Sequence, residues 1–129
     1  MPNLSTIDIH GSKISLSLDN LPITTLNVSN VGTSKSSASS LTISNCNSLT
    51  SVNLSNSYID TVKLSYTWGT SLSLTDVHFK SLTVTATKPG QTLTVANNAT
   101  LINLTATGFK SVTIHDCGNL NNVIINNNE

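Results

Sequence analysis

The chain contains no arginine and a single glutamate, and only 9% of its 129 residues are charged. Its six lysines balance six acidic residues, which gives a formal net charge of 0. Binding to nucleic acids requires a basic surface, and arginine makes the bidentate contacts with phosphates and bases. The composition therefore argues against a nucleic-acid partner.

Residue patterns that carry catalysis are also missing. The five aspartates are scattered along the chain, which excludes most reactions that use two neighbouring carboxylates. No glycine-rich phosphate loop is present. His115 adjoins Asp116, but neighbouring residues of a strand point to opposite faces and are not expected to act together. We predict that the protein is not an enzyme, with no catalytic residue and no cofactor.

Long hydrophobic runs are absent as well. No apolar segment approaches the roughly 18 residues of a candidate membrane span. The first eleven residues contain no basic stretch followed by an apolar one, which is the pattern of a secretory signal. We therefore expect neither membrane insertion nor a signal peptide.

The chain does contain a repeated pattern. At twelve places, about every ten positions, two apolar residues flank one other residue. Residues two apart in a strand share a face, so both apolar side chains point inward and the residue between them points outward. The outward residue is polar in eleven cases, and the exception is Ile124. The pairs are Ile7/Ile9, Leu16/Leu18, Leu26/Val28, Leu41/Ile43, Val52/Leu54, Val62/Leu64, Leu72/Leu74, Leu82/Val84, Leu93/Val95, Leu104/Ala106, Val112/Ile114 and Val123/Ile125.

Two short strands in every 21 or so residues predict an all-β fold with little or no helix. The expected architecture is a β-solenoid of about six coils, in which two parallel sheets face each other across one apolar core. Residues 1–129 should form a single domain, because each repeat packs on its neighbours. A serine-rich stretch predicts a loop insertion at about 31–40. A second apolar series should fill the corners of the coils: Ile59, Phe79, Leu101 and Leu120.

The two cysteines are predicted to be free. Cys46 and Cys117 follow strands on alternate sides of the coil and should lie three or more coils apart. That separation exceeds the roughly 7 Å limit between the α-carbons of a disulfide. We expect two buried thiols that act as small core residues, and no metal site.

Several segments resemble leucine-rich repeats of the form LxxLxLxx(N/C). They are LTSVNLSNSYI (49–59), FKSVTIHDC (109–117) and LNNVIINNN (120–128). Cys46, Cys117 and Asn128 occupy the final motif position, whereas Ser57 and Thr67 depart from it. The chain is similar to the short repeats of bacterial surface proteins, including internalin-like ones. The resemblance implies adhesion or protein recognition and does not imply catalysis.

Aromatic residues offer one candidate binding surface. Tyr58, Tyr66 and Trp68 place three of the five aromatic residues within eleven positions. Aromatic rings present flat apolar faces to glycans and to partner proteins. The alternative is that these rings fill corners of the solenoid.

The two ends of the chain offer a candidate assembly surface, because no capping segment is visible at either end. An uncapped solenoid exposes apolar core and unpaired backbone groups at its terminal strands. Ile124, the outward apolar residue, lies in the last of these strands. The residues expected to mediate assembly are Ile7, Ile9, Val123, Ile124 and Ile125.

These observations favour a non-catalytic structural or binding module within a surface assembly, such as a phage or virion component, a bacterial adhesin or a fibre. The expected location is a virion or cell surface, and the expected partners are proteins, including further copies of the chain, or a glycan. Two alternatives stay open. Outward threonines such as Thr83, Thr85, Thr105 and Thr107 resemble those of ice-binding solenoids, and a small β-helix carbohydrate-active enzyme is a precedent by fold analogy.

Overall fold

The computed structural model describes residues 5–11, 15–31, 40–54, 56–67 and 69–126. This part of the chain forms twelve strands and no helix. The predicted loop at 31–40 lies outside the described residues, apart from its first and last positions. The strands are β1 (Thr6–Gly11), β2 (Ser15–Asp19), β3 (Thr25–Val31), β4 (Ser40–Ser44), β5 (Ser51–Asn53), β6 (Tyr58–Tyr66), β7 (Ser71–Thr75), β8 (His78–Ala86), β9 (Thr92–Ala96), β10 (Asn103–Thr107), β11 (Ser111–His115) and β12 (Asn122–Asn126).

The strands alternate between two sides of a parallel β-solenoid, as predicted. The even-numbered strands form one six-stranded sheet in the order β12-β10-β8-β6-β4-β2, here called the long sheet. The odd-numbered strands form two three-stranded sheets on the other side. The first short sheet has the order β1-β3-β5, and the second has the order β11-β9-β7.

The apolar pairs set the register between coils. Along the long sheet, the first member of each pair lies beside the first member of the next, with steps of 19 to 25 residues. Six strands in one sheet enclose five complete turns, so the solenoid has about five coils and the expected six is wrong. The aligned residues are Leu16, Leu41, Val62, Leu82, Leu104 and Val123.

A single apolar core lies between the two sides. Apart from Val52, which is only partly buried, the paired side chains of the inner coils are almost completely buried, as are Ile59, Phe79 and Leu101 of the predicted corner series. Leu120, the last member of that series, is only partly buried, because no further described coil covers it. Full burial of each aliphatic side chain contributes about 1.5 to 3 kcal/mol to the stability of the fold. Burial of apolar side chains in the inner coils therefore stabilises the solenoid.

Most corners begin with an asparagine or aspartate in the left-handed backbone region. Asn20, Asn45, Asn56, Asp76, Asn97 and Asp116 have φ values of 53° to 57°. Asparagine and aspartate adopt this conformation more readily than other residues with a β-carbon. Their backbone groups continue the ladder between coils, as when the N–H of Asn20 donates to the carbonyl of Ser44 at 3.1 Å.

Two side-chain hydroxyl groups bind backbone carbonyls at corners of the solenoid. The hydroxyl of Ser57 donates to the carbonyl of Val28 at 3.0 Å, and that of Thr67 donates to the carbonyl of Cys46 at 2.9 Å. Each bond joins a corner to the preceding coil. Ser57 and Thr67 therefore each supply a side-chain donor at a turn.

A buried glutamine joins two successive corners. Gln91 is 0% exposed. Its Oε1 accepts hydrogen bonds from the N–H groups of Thr87 and Lys88, at 2.8 and 3.1 Å. Its Nε2 donates to the carbonyls of Tyr66 and Gly69, at 3.2 and 2.8 Å. The side chain thus stabilises its own turn and attaches it to the turn one coil earlier.

Both cysteines are free, as predicted. Cys46 is buried, and its thiol approaches the carbonyl of Ser44 at 3.4 Å. Cys117 is only partly buried, so the expectation of two buried thiols is wrong for this residue. The difference arises because Cys117 lies in the final coil, where no further described coil covers it.

Candidate assembly site at the ends of the solenoid

The predicted aromatic cluster is divided between distant positions. Tyr58 and Tyr66 are the first and last residues of the nine-residue strand β6. Tyr66 is 1% exposed and stacks on Phe109, with ring centroids 6.4 Å apart. Burial raises the pKa of the Tyr66 hydroxyl above its ordinary value, and a hydrogen bond with the Ser71 backbone offsets only part of this rise. Trp68 lies outside the described residues.

Tyr58 forms a stack with a histidine of the next coil. Its ring lies 4.1 Å from that of His78, with an interplanar angle of 5°. The two residues are register partners of β6 and β8, so the sheet holds the rings parallel. One face of Tyr58 is therefore covered from within the molecule.

The C-terminal strand is the most exposed strand whose side chains are fully described. All five residues of β12 are exposed. Val123 and Ile125 are 45% and 48% exposed, although their register partners Leu104 and Ala106 are each 1% exposed. Ile124, which points outward, is 55% exposed. The inward-facing pair of this strand thus lacks the cover that a further coil provides elsewhere.

The outer edge of β12 is also open within the described part of the chain. β12 pairs only with β10. In a parallel sheet about half of the backbone N–H and C=O groups of an edge strand face away from its single neighbour. A recess of about 540 Å³ lies beside this strand, lined by residues of β10 and β12 that include Asn103, Thr105 and Ile124. Exposed apolar side chains and unpaired backbone groups therefore occur together at this end.

The first coil also has open strand edges, but its described apolar side chains are less exposed than those of β12. β1 pairs only with β3, and β2 pairs only with β4, so both strands are edges of their described sheets. Ile7 and Leu16 are partly buried against the core. Ile9 lies in β1, and its side chain is not described. The structure therefore places the predicted assembly residues in the first and last coils.

Carboxylates terminate the polar rows at the N-terminal end. The Nδ2 of Asn27 donates to Oδ1 of Asp8 at 3.3 Å, and Asn53 donates to Asn27 at 3.1 Å. Oδ1 of Asp19 accepts from Ser44 and from Asn45, each at 3.0 Å. In both rows the second coil supplies the donors and the first coil supplies an acceptor.

His115 and Asp116 are in contact, contrary to the expectation that they point to opposite faces. Nδ1 of His115 lies 2.9 Å from Oδ2 of Asp116. The contact forms because Asp116 has a φ of 57° and leaves the strand at that point. Both side chains are more than half exposed to solvent. In the described part of the chain no group of three histidine, cysteine, aspartate or glutamate residues is placed to hold a metal ion.

The threonine rows are regular over two coils. Thr83 lies beside Thr105, and Thr85 lies beside Thr107, on the outer face of the long sheet. In the same central row Lys63 precedes Thr83, and Ile124 follows Thr105. The regular threonine patch is therefore bounded on both sides within that row.

The two short sheets are separated by a cleft. Among the described residues, β5 and β7 are not hydrogen-bonded as neighbouring strands, whereas β6 and β8 on the other side pair from Tyr58/His78 to Tyr66/Ala86. The cleft has a volume of about 170 Å³ and is lined mainly by apolar residues, among them Val52, Leu54 and Leu72. This interruption has no signal in the sequence, since the apolar pairs continue across it.

Comparisons with known proteins give no further assignment. No protein-family model, curated protein sequence or solved structure matches the chain. Among the described residues, no helix is long and apolar enough to cross a membrane.

Proposed function

We propose that this chain is a non-catalytic structural or binding module that joins a larger assembly through its coil ends. The observation that carries the proposal is the exposure of Val123, Ile124 and Ile125 on an edge strand. The leucine-rich-repeat-like pattern and the neutral surface, rich in hydroxyl and amide groups, support a role in protein or glycan contacts. A phage or virion component, a bacterial adhesin and a fibre are the assemblies that fit this description.

The energetics indicate that a whole coil face must take part. Completing the burial of Val123 and Ile125 contributes about 1.5 to 3 kcal/mol, because each is roughly half exposed. The loss of translational and rotational freedom on association costs about 4 to 15 kcal/mol. Backbone pairing along the open strand edge and the partly buried Val112 and Ile114 of β11 must supply the difference. We therefore expect association that depends on concentration.

The proposal is tested by sedimentation velocity over rising protein concentration. In Ile125→Lys the ammonium group stays in water in the monomer, but it is buried without a partner when a second molecule covers β12. Thr83→Lys is the matched control, because it adds the same charge to an outward position of an inner coil, beside Lys63. We expect the unmodified chain and Thr83→Lys to associate and Ile125→Lys to remain monomeric.

Two results would count against the proposal. One is a strictly monomeric unmodified chain at the highest concentration reached. The other is equal loss of association in both lysine variants, since added charge would then explain the effect without involving the coil end. Electron micrographs of the concentrated chain should show elongated particles, and their absence would argue against a fibre.

A further inference from the structure

We propose that copies of this chain stack head to tail in one register, with β11 beside β1 and β12 beside β2 of the next copy. The inference rests on the proposed function, and it names the partner as a second copy of the chain. Its basis is the register in which the strands of each described coil pair with those of the coil before it.

The apolar rows support this register. Within the chain, the first apolar residue of a strand lies beside the first apolar residue of the strand one coil later. One further step places Val123 beside the next copy's Leu16, and Ile125 beside its Leu18. Val123 and Ile125 are about half exposed in a single chain, and Leu16 is only partly buried. The same step covers the apolar face at both ends.

The polar rows complement one another in the same register. Asp8 and Asp19 accept hydrogen bonds through Oδ1 from residues of the second coil. A carboxylate only accepts hydrogen bonds, so any coil placed on the other side must supply donors. The step that aligns the apolar rows brings the hydroxyl of Thr113 to the next copy's Asp8 and the amide of Asn126 to its Asp19. Thr113 and Asn126 thus each have a side-chain group that can donate to the carboxylate it meets.

Other arrangements satisfy the ends less completely. A head-to-head pair brings Asp8 and Asp19 of two copies together, and like charges at close range oppose association. A tail-to-tail pair covers β12 but leaves the first coil of each copy open. Head-to-tail contact covers both ends, and because it is heterologous it continues into an open filament unless the rotation closes a ring.

Disulfide trapping tests the register in the full chain. Ser17→Cys and Ile124→Cys are each introduced into a Cys117→Ala background, since Ser17 and Ile124 become neighbours in the proposed contact. Both positions are exposed in the single chain. Adjacent parallel strands lie roughly 4.8 Å apart, which is within the range for a disulfide. When the two variants are mixed and oxidised, we expect a cross-linked dimer that contains one of each.

A register control uses Asn122→Cys in the same background. In the proposed contact Asn122 lies beside the next copy's Ser15, so Asn122→Cys should cross-link with Ser15→Cys. It should not cross-link with Ser17→Cys, from which it is displaced by two residues along the strand.

The outcomes separate this inference from the proposed function. An unmodified chain that does not associate overturns both. Association accompanied by only Ile124→Cys homodimers, only Ser17→Cys homodimers, the shifted 17/122 cross-link or no cross-link overturns the head-to-tail register and leaves assembly standing. The mixed 17/124 and 15/122 cross-links, without the 17/122 product, support it.

Discussion

Gln91 offers the most direct test of how successive corners are held together. Its buried amide makes four hydrogen bonds, two as acceptor and two as donor. A typical hydrogen bond contributes a net of about 0.5 to 1.5 kcal/mol to stability, which gives about 2 to 6 kcal/mol for the four. Thr87 and Lys88 are exposed, so water replaces part of what their N–H groups lose. We therefore expect Gln91→Leu to lower the free energy of unfolding by about 2 to 4 kcal/mol.

Gln91→Glu distinguishes hydrogen bonding from packing, because the two side chains have nearly the same shape. The introduced carboxylate can still accept hydrogen bonds from the N–H groups of Thr87 and Lys88. Its second oxygen replaces the amide donor and has no proton to donate to the carbonyls of Tyr66 and Gly69. Burial and the facing carbonyls raise the pKa of this carboxyl above its unfolded value. A raised pKa means that the variant is most stable below the unfolded pKa and loses stability as the pH rises through the folded pKa.

Urea unfolding of the two variants and the unmodified chain, followed by circular dichroism, provides the measurement. At pH 7 Gln91→Glu should unfold at a lower urea concentration than the unmodified chain, and at about pH 4 the difference should shrink. Gln91→Leu should show the same deficit at both pH values. A Gln91→Glu variant as stable as the unmodified chain at pH 7 would refute the argument, because the amide donor would then contribute nothing.

Three further predictions concern other parts of the fold. Cys117 should react with a thiol reagent faster than Cys46 in the native state, and equal rates before denaturation would contradict their different burial. Asn98→Leu should raise the urea midpoint, since the buried Nδ2 of Asn98 has no hydrogen-bond partner among the described residues and an unsatisfied buried group costs about 1 to 3 kcal/mol. A lowered midpoint would show that the bond between Thr100 and the Asn98 side chain matters more. Backbone amides of β7 should exchange with deuterium faster than those of β9, because β7 borders the cleft and β9 lies between two strands; equal protection would mean that the cleft is closed in solution.

The repeat was predictable because it depends on local sequence alone. Alternating apolar pairs fix which face of each strand is buried, and a shift of one residue would expose every pair. This is why pairs such as Val62/Leu64 and Leu82/Val84 occupy adjacent positions in the same sheet. The same repeat predicted that Cys46 and Cys117 lie too many coils apart to form a disulfide, and both are free.

The candidate site was predictable only in outline. The apolar pattern indicated that Ile124 points outward in an exposed last strand, and this residue is exposed. The sequence did not predict how the aromatic residues are arranged. Tyr58 and Tyr66 are close in sequence but lie at opposite ends of a nine-residue strand. The contact between His115 and Asp116 depended on where the strand ends, which an alternating pattern does not show.

The sequence by itself determined the solenoid, its register and the direction in which each apolar pair points, since these follow from a period of two within strands and about 21 residues between coils. The tertiary structure decided which residues join one coil to another. The two hydrogen bonds from Gln91 to the carbonyls of Tyr66 and Gly69, the stack of Tyr58 on His78 and the cleft between β5 and β7 each depend on atoms about 20 or more residues apart. Their geometry is fixed only when the coils pack, because the lengths and conformations of the corners set how each coil lies on the next.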